Sequence, residues 1–394
     1  MADQERFRDD TRRWLDANAP ASMRGPLTNP DDLCWGGKKT RYPADVKRWL
    51  DVMAERGWTA PTWPREYGGG GLSKEEAKVL AEEMAKARLR PPLTGFGLSM
   101  IGPLLLQEGS EELKREHLPR IVRGEIRWCQ GYSEPGAGSD LASLQTRAVR
   151  EGDWFLVNGQ KVWTSYGDKA DWMFLLVRTD PEAPKHSGIT FLLMDMETPG
   201  VSVRPIRLIS GSSPFCETFL TDVRVPARNV VGRVNGGWLI AKALLGHERT
   251  MIAGVFKERD DKERLVSSAR RYLGGENGRI ADPVVRDRIA QVEMDQACLD
   301  LTLARSRDNA KAGHKPGAES SIFKYYGTEL NQRRRALLVE ILGPQGLGWD
   351  GPGFTEDELR VTRDWLRSRG NTIEGGTSEV QLNIIAKRVL GLPD

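Results

Sequence analysis

The sequence predicts an α+β protein made of three consecutive parts, which are helical, then β, then helical again. Apolar residues recur at three- and four-residue spacings before about residue 125 and again after Gly236-Gly237, which is typical of amphipathic helices. Between these stretches, short apolar runs separated by turn residues indicate a compact β domain. The predicted domains are therefore 1–125, 126–235 and 236–394.

The N-terminal part contains two helices that the residue pattern predicts directly, at 46–58 and 73–89. Ser73 followed by Glu76 is the capping-box signature of a helix start, so the second helix is expected to begin there. A turn rich in proline and glycine separates the two helices. The segment 25–43 is predicted to be a long loop because prolines and glycines recur in it.

The β part contains several strand-like runs. Asn158-Gly159 stands between two of them, and this dipeptide predicts a hairpin turn at that point. Further strands are predicted at 172–179, 188–196 and 217–226 from their apolar and β-branched content.

The composition excludes several classes of protein. Hydrophobic residues make up 39% and charged residues 29%, which is typical of a soluble globular chain. The net charge of +3 gives no support for nucleic-acid binding. No apolar run reaches the roughly 20 residues of a membrane span, and the charged N-terminus lacks the apolar stretch of a secretory signal. We therefore expect a cytoplasmic protein.

The cysteines are scattered and form no CxxC pair, which predicts free thiols in a reducing compartment rather than disulfides or a zinc site. The four positions are Cys34, Cys129, Cys216 and Cys298. No metal site is predicted. No GxGxxG sequence opens a helix after a strand, so a Rossmann mode of dinucleotide binding is not supported.

Three segments resemble motifs of the acyl-CoA dehydrogenase family: YSEPGAGSD (132–140), NGQKVWTS (158–165) and GGTSEVQLNIIAKRVLG (375–391). They occur in the family's order, and WPREYGGGGLS and DVRVPARNVVG extend the resemblance over nearly the whole chain. The resemblance implies an N-terminal helical domain, a middle β-barrel-like domain and a C-terminal four-helix bundle. It also implies FAD, bound in a crevice between the β domain and the C-terminal helices, and an acyl-CoA substrate.

The resemblance assigns the flavin end of the cofactor to the first two motifs. Three residues would line the flavin and thioester cleft, the last of them also contacting substrate: Tyr132, Ser133 and Ser139. Gly136 and Gly138 would let the backbone approach the ligand. Trp163 and Ser165 would pack against the isoalloxazine and contact its N5 edge. Two alternatives are that SEPGAGSD is only a tight polar turn and that Trp163 is a core residue of a strand.

The resemblance assigns the adenosine end to the C-terminal part. Thr377 and Glu379 resemble positions that touch the adenosine half of FAD, and Arg270 resembles an arginine that reaches the FAD of a neighbouring subunit. Two motifs depart from the family pattern. This chain has RRYLG where the family usually has Arg-x-x-Phe-Gly, and EILGPQG (340–346) where the family usually has Gln-x-Phe-Gly-Gly.

The catalytic base is predicted from two positions, one that lacks the glutamate of most family members and one that carries the glutamate of a smaller group. Most family members place a glutamate where this chain has Gly375, whereas isovaleryl- and long-chain-type members use a Glu-Arg pair that starts the C-terminal domain. This chain has that pair, Glu248-Arg249. Glu374 is one residue out of register, which turns a side chain by about 100°. We therefore predict Glu248 as the base, Arg249 as a substrate contact and Gly375 as a backbone N–H donor beside the cofactor. The alternative for Glu248 is a surface salt bridge.

The reaction that follows is α,β-dehydrogenation of an acyl-CoA to a trans-2-enoyl-CoA, with electrons passed to an electron-transfer flavoprotein. The resemblance implies a homotetramer, or a heterotetramer with a related subunit. A base on the helix that starts the C-terminal domain is found in members that act on branched or long chains, which favours a bulky or branched acyl group. The segment LLLQEGSEELKREHLPRIVRGEIRWCQGYSEP also resembles bacterial members that act on steroid side chains and often pair two different subunits. Two other functions stay open: a flavin monooxygenase of the same fold, and a non-catalytic partner subunit of a mixed tetramer.

Overall fold

The computed structural model describes residues 2–25, 33–245, 260–314 and 317–393. The internal contacts of the chain group it into two units. The first unit is Met1–Ile206 with Pro214–His247, and the second is Arg207–Ser213 with Glu248–Asp394. The domain boundaries after residues 125 and 235 stay predictions.

The described part of the first unit contains six α-helices besides its sheet. They are α1 (Ala2–Asn18), α2 (Ala44–Glu55), α3 (Lys74–Lys86), α4 (Gly102–Glu108), α5 (Glu111–Val122) and α6 (237–245). The predicted capping box is confirmed, because Ser73 accepts from the Glu76 N–H and Glu76 accepts from the Ser73 N–H. One face of α2 buries Trp49, Leu50 and Met53 in the core of the helical part.

A seven-stranded mixed sheet forms the rest of the first unit. Its strands are β1 (Trp128–Gly131), β2 (Arg147–Glu151), β3 (Trp154–Ser165), β4 (Trp172–Arg178), β5 (Ile189–Asp195), β6 (Val201–Ile206) and β7 (Phe215–Pro226). The order is β1-β4-β2-β3-β7-β6, and β5 pairs with β4. The strands predicted at 172–179, 188–196 and 217–226 are confirmed as β4, β5 and β7. The predicted α+β class is also confirmed.

The hairpin predicted at Asn158-Gly159 is wrong. Strand β3 continues through this dipeptide with a register shift against β7. Nδ2 of Asn158 donates to Oδ1 of Asp222 on β7 at 3.0 Å, and the N–H of Asp222 donates to Oδ1 of Asn158 at 2.9 Å. Gly159 is needed for a close approach, because a Cβ there would lie 2.5 Å from Oγ1 of Thr146. The turn lies earlier, at the β2–β3 connection, where Gly152 has φ +60°.

The second unit is helical apart from a two-stranded hairpin. Its elements are α7 (Asp260–Leu273), β8 (Gly275–Glu276), β9 (Arg279–Ile280), α8 (Pro283–Lys311), α9 (Ser320–Leu342), α10 (Glu356–Ser368) and α11 (Ser378–Ile384). Helix α9 is the central one, since α7, α8, α10 and α11 all contact it. Its buried residues, among them Leu330, Leu337 and Ile341, form the core of the unit.

Two further sequence predictions concern the cysteines and the membrane. The prediction of free thiols is confirmed, with Cys34, Cys129 and Cys216 buried and Cys298 exposed. Across the described ranges, no helix combines the length and the apolar character needed to cross a bilayer.

Candidate active site

The first two motifs lie side by side in the first unit. The end of β1 runs into residues 132–134, and β3 passes next to it. The N–H of Val162 donates to the carbonyl of Ser133 at 2.9 Å, and Nζ of Lys161 donates to the carbonyl of Tyr132 at 3.2 Å. Two segments that are about 30 residues apart in sequence are therefore joined through their backbones where the cofactor residues were predicted.

The two aromatic residues of these motifs differ in exposure. The ring of Tyr132 is buried in the sheet, edge-on to Phe174 and Phe191 at centroid distances of 6.1 and 6.3 Å. Trp163, in contrast, is 55% exposed, so the alternative that it is a core residue is wrong. The indole of Trp163 is therefore accessible, and the predicted contact of Tyr132 with the cofactor stays a prediction.

Trp163 lies at a β-bulge in β3. The register of β3 against β7 shifts between Lys161 and Thr164, and Trp163 has φ +62°. A left-handed conformation is strained for a bulky residue and is a feature found at ligand sites. The edge of the Phe215 ring supports the indole at a centroid distance of 6.0 Å. The bulge thus presents a flat aromatic surface, as the packing of an isoalloxazine ring requires.

The loop of the first motif has open space in front of two glycines. A Cβ added to Gly136 or Gly138 would meet no atom within 4 Å, and neither residue has a left-handed φ. The protein itself therefore gives no steric reason for glycine at these positions. Space reserved for a close-lying ligand does give one, so this loop fits the predicted cofactor. Ser139, exposed on the same loop, is in a position to serve such a ligand.

This fit leads to a direct prediction. Gly138→Ala is expected to leave the melting temperature of the cofactor-free protein unchanged and to weaken FAD binding about tenfold or more, because the methyl group fills the space that the ligand needs. Fluorescence titration of FAD measures the affinity. Gly353→Ala is the matched control, since Gly353 also has open space and no left-handed φ. Wild-type affinity in Gly138→Ala would contradict the predicted cofactor position.

A buried cation stands close to Ser165. Tyr166, which follows it, has φ +52° and its ring lies 4.8 Å from the guanidinium carbon of Arg127. That guanidinium also covers the ring of Trp35, again at 4.8 Å. Burial lowers the pKa of Arg127, and stacking against two rings compensates part of the cost of burying the charge. This stack fixes the strand end that carries Ser165.

A buried ion pair was missed by the sequence reasoning. Lys161 is 0% exposed in the middle of β3, and its Nζ lies 2.8 Å from Oε1 of Glu134 in the first motif. Burial lowers the pKa of Lys161 to about 8, against the opposing effect of Glu134. Burial opposes the ionisation of Glu134, but Lys161 together with hydrogen bonds from Thr146 and Gln145 outweighs burial, and the pKa of Glu134 is lowered. A lysine inside a strand-like run, directly before the apolar Val162 and Trp163, was the signal that could have pointed to the pair.

The last motif lies in the second unit. Gly375 and Gly376 both have left-handed φ, +64° and +88°. Thr377 caps α11 by accepting from the Val380 N–H at 3.2 Å. Glu379 follows in the first turn of this helix. The predicted contacts of Gly375, Thr377 and Glu379 with a cofactor stay predictions.

Two ionisable side chains near this motif differ in their hydrogen bonding. Glu374 accepts from Arg367 at 2.8 Å and from Asn371 at 2.6 Å, so its carboxylate is engaged away from any base role. Nζ of Lys324 is buried and makes no hydrogen bond within the described part of the chain. Burial lowers the pKa of Lys324, while Glu374 and the nearby Glu329 and Glu379 oppose this effect.

The remaining predicted residues lie at the start of the C-terminal part. Arg270 is exposed on α7 and donates to the carbonyl of Gly278 at 3.4 Å, in the β8–β9 connection of its own unit. Glu248 and Arg249 lie outside the described residues. No cluster of three or more histidine, cysteine, aspartate or glutamate side chains that could hold a metal ion occurs in the described ranges.

Family models match the chain in three consecutive pieces. They are described as acyl-CoA dehydrogenase N-terminal domain over residues 1–125, middle domain over 129–223 and C-terminal domain over 235–390. These descriptions agree with the order of helical and β parts that the sequence predicts.

Named relatives and solved structures extend the match. Acyl-CoA dehydrogenase IpdE1 of Mycobacterium tuberculosis is 35% identical, covering 100% of this chain and 99% of that protein. Acyl-CoA dehydrogenase FadE34 of the same organism is 41% identical over 87% of this chain, which spans only 46% of that protein. The Tcur3481-Tcur3483 steroid ACAD matches with a TM-score of 0.78 at 33% identity, over 100% of this chain and 98% of that one. The ChsE4-ChsE5 complex from Mycobacterium tuberculosis matches with a TM-score of 0.73 at 32% identity, over the same shares of the two chains. The chain therefore belongs to the acyl-CoA dehydrogenase family, whose members are FAD-dependent oxidoreductases.

Proposed function

We propose that this chain binds FAD and catalyses the α,β-dehydrogenation of an acyl-CoA thioester to a trans-2-enoyl-CoA. The observation that carries the proposal is the junction of the first two motifs. There the Val162–Ser133 backbone bond joins the strand that carries a strained, exposed Trp163 to the segment that leads into a glycine loop with open space in front of it. A flat aromatic surface next to a polar, uncovered backbone suits a flavin ring and the thioester that lies against it.

Glu248 is the proposed base. Its carboxylate removes the α-proton of the thioester, and Arg249 contacts the substrate. A carboxylate close to an apolar acyl chain is desolvated, which raises its pKa and strengthens it toward a carbon acid. As the proton leaves, negative charge develops on the thioester oxygen, and the N–H of Gly375 is the proposed donor to it. A backbone donor needs no side chain, so glycine at this position is compatible with the role.

The first two motifs are proposed to hold the flavin end of the cofactor. FAD, when bound, supplies the two-electron acceptor for the β-hydride. Trp163 would offer its indole to the ring system, and Ser165 would supply a hydroxyl group to the polar edge of that ring. The loop of Ser133 and Ser139 offers hydroxyl and N–H groups. Thr377, Glu379 and Arg270 are proposed for the adenosine and pyrophosphate end, with Arg270 acting on a neighbouring subunit.

The proposed acyl group is bulky and alicyclic. The Tcur3481-Tcur3483 relative is described as a steroid enzyme, and it covers the full length of this chain at 33% identity. The use of Glu248 rather than position 375 as the base points the same way, because the resemblance links that arrangement to branched and long acyl chains.

The assembly is proposed to be a tetramer that passes its electrons to an electron-transfer flavoprotein. The ChsE4-ChsE5 relative is a complex of two different chains, which favours a mixed tetramer over a homotetramer. Native mass spectrometry of the chain produced alone distinguishes the two: a homotetramer with four flavins supports self-sufficiency, and smaller or flavin-poor species support a missing partner.

The test of the function is anaerobic bleaching of the flavin absorbance at about 450 nm, which reports reduction of the cofactor. Acyl-CoA thioesters with straight, branched and steroid-type alicyclic chains are compared. We expect rapid bleaching with the alicyclic thioesters and formation of the enoyl-CoA in a one-to-one ratio with reduced flavin.

The other outcomes identify the alternatives. A protein that binds flavin but is bleached by no thioester, and that instead consumes oxygen with an external reductant, is the monooxygenase. A protein that binds no flavin alone, and gains it only with a related subunit, is the partner subunit. The departures RRYLG and EILGPQG in the predicted adenosine-binding region are the observation that favours this second alternative.

A further inference from the structure

The Lys161–Glu134 ion pair is placed where a buried charge is costly. Lys161 is 0% and Glu134 8% exposed, and the cost of taking two such charges out of water can exceed the gain from their mutual attraction. An apolar pair of similar size is often as stable or more stable. Fold stability alone therefore gives little reason for a lysine inside β3.

The pair does provide directed hydrogen bonds to the first motif. Nζ of Lys161 donates to Glu134 at 2.8 Å and to the carbonyl of Tyr132 at 3.2 Å. The next residue of the strand, Val162, donates to the carbonyl of Ser133 at 2.9 Å. Three consecutive residues, 132–134, are thus held by two consecutive residues of β3.

Glu134 extends the same network to the far side of the loop. Its carboxylate accepts from the N–H groups of Gln145 at 2.6 Å and Thr146 at 2.9 Å. Its backbone closes a turn with Ala137 through bonds of 2.9 and 3.0 Å. The carboxylate therefore ties together both ends of the loop that contains the open glycines.

We propose that Lys161 and Glu134 are positioning residues for the cofactor, which act by fixing the backbone of Tyr132 and Ser133 against the Trp163 bulge. Neither residue is expected to touch the flavin. The inference rests on the proposed function, because it presumes that the flavin lies between the loop and the bulge. When residues that hold the contacting groups in place are removed, the site binds its cofactor more weakly and changes its chemical properties, even if the fold is kept.

The test compares Lys161→Met with a control that breaks another buried carboxylate network of the same unit. Glu83, 2% exposed, is bonded by Arg8, Arg12 and Lys86, and Glu83→Gln removes a comparable charge far along the chain from both motifs. We expect Lys161→Met to weaken FAD binding at least about tenfold and to shift the flavin midpoint potential. We expect Glu83→Gln to lower the melting temperature while leaving affinity and potential at wild-type values.

A second variant keeps the test decisive if Lys161→Met does not fold. Lys161→Met combined with Glu134→Gln removes both charges, keeps the volume and leaves a carbonyl oxygen to accept from the Gln145 and Thr146 N–H groups, so it is expected to fold and still to bind FAD weakly. Wild-type affinity and potential in either variant would overturn the positioning role and leave the proposed function intact. Absence of FAD binding in the wild-type protein, with or without a related subunit, would overturn both.

Discussion

Replacing Glu248 with glutamine is expected to slow flavin reduction by acyl-CoA by about 100- to 10,000-fold, the range that general-base catalysis supplies. Glutamine keeps the size and the polar end of the side chain but cannot accept the α-proton. FAD content and the dissociation constant of the acyl-CoA are therefore expected to stay close to the wild-type values. Stopped-flow bleaching under anaerobic conditions measures the rate constant, and equilibrium titration measures the binding.

Glu374 supplies the matched control for this experiment. It neighbours position 375, where most family members carry the base, but its carboxylate is bonded by Arg367 and Asn371. Glu374→Gln is expected to affect stability and to keep the wild-type rate of reduction. A full rate in Glu248→Gln, or an equal loss in both variants, would refute the assignment of the base.

The protein is expected to lose stability in acid because one buried histidine, His117, must stay neutral in the folded state. His117 on α5 is 0% exposed, and its ring packs against Trp128 and Trp172 at centroid distances of 5.2 and 4.5 Å. Neither ring nitrogen has a hydrogen-bond partner among the residues that the structure describes. Burial lowers the pKa of His117 from 6.5 to about 3, and Arg120 and Arg228 act in the same direction.

The direction of the pH effect follows from this shift. The unfolded chain binds a proton to this histidine below pH 6.5, whereas the folded chain does so only near pH 3. The neutral His117 side chain therefore makes its full contribution to the free energy of unfolding well above pH 6.5. As the pH falls from 6.5 toward 3, the free energy of unfolding decreases by about 1.4 kcal/mol per pH unit. Between neutral pH and pH 5, the free energy of unfolding of this unit should drop by about 2 kcal/mol through His117 alone.

His117→Phe should remove this acid sensitivity. Phenylalanine fills a similar volume and leaves no unpaired nitrogen beside the two indoles, so the variant is expected to be at least as stable as the wild type at pH 7. Melting curves followed by tryptophan fluorescence at pH 7, 6 and 5 test this, since Trp128 and Trp172 contact the ring. His314→Asn, at an exposed position, is the control. A parallel pH dependence in wild type and His117→Phe would contradict the prediction.

Sequence rules correctly predicted those helices and strands whose signal comes from residues close together in the chain. The capping box at Ser73 marks the start of α3, and continuous apolar runs mark β4 and β5, because neighbouring residues decide these features. The same kind of rule was wrong at Asn158-Gly159. There the glycine serves a close contact with Thr146 and the asparagine a bond to Asp222, and neither partner is a sequence neighbour.

The candidate site shows the same limit. Motif resemblance predicted Trp163, Ser133 and the glycine loop as site residues, because they carry recognisable residue types in a fixed order. It did not find Lys161–Glu134 or the stacked Arg127, because their roles exist only after separate segments have come together. Packing decides which charged residue becomes buried and paired, and spacing along the chain does not encode that outcome.

The left-handed backbone at Gly375 also bears on how this enzyme can evolve. Its φ is +64°. A residue with a side chain is disfavoured in that conformation by roughly 1–2 kcal/mol, so a glutamate reintroduced there by mutation would begin with a conformational penalty. A functional glutamate at position 375 would therefore require the loop backbone to change together with the side chain. The route to a base at this position takes more than one substitution.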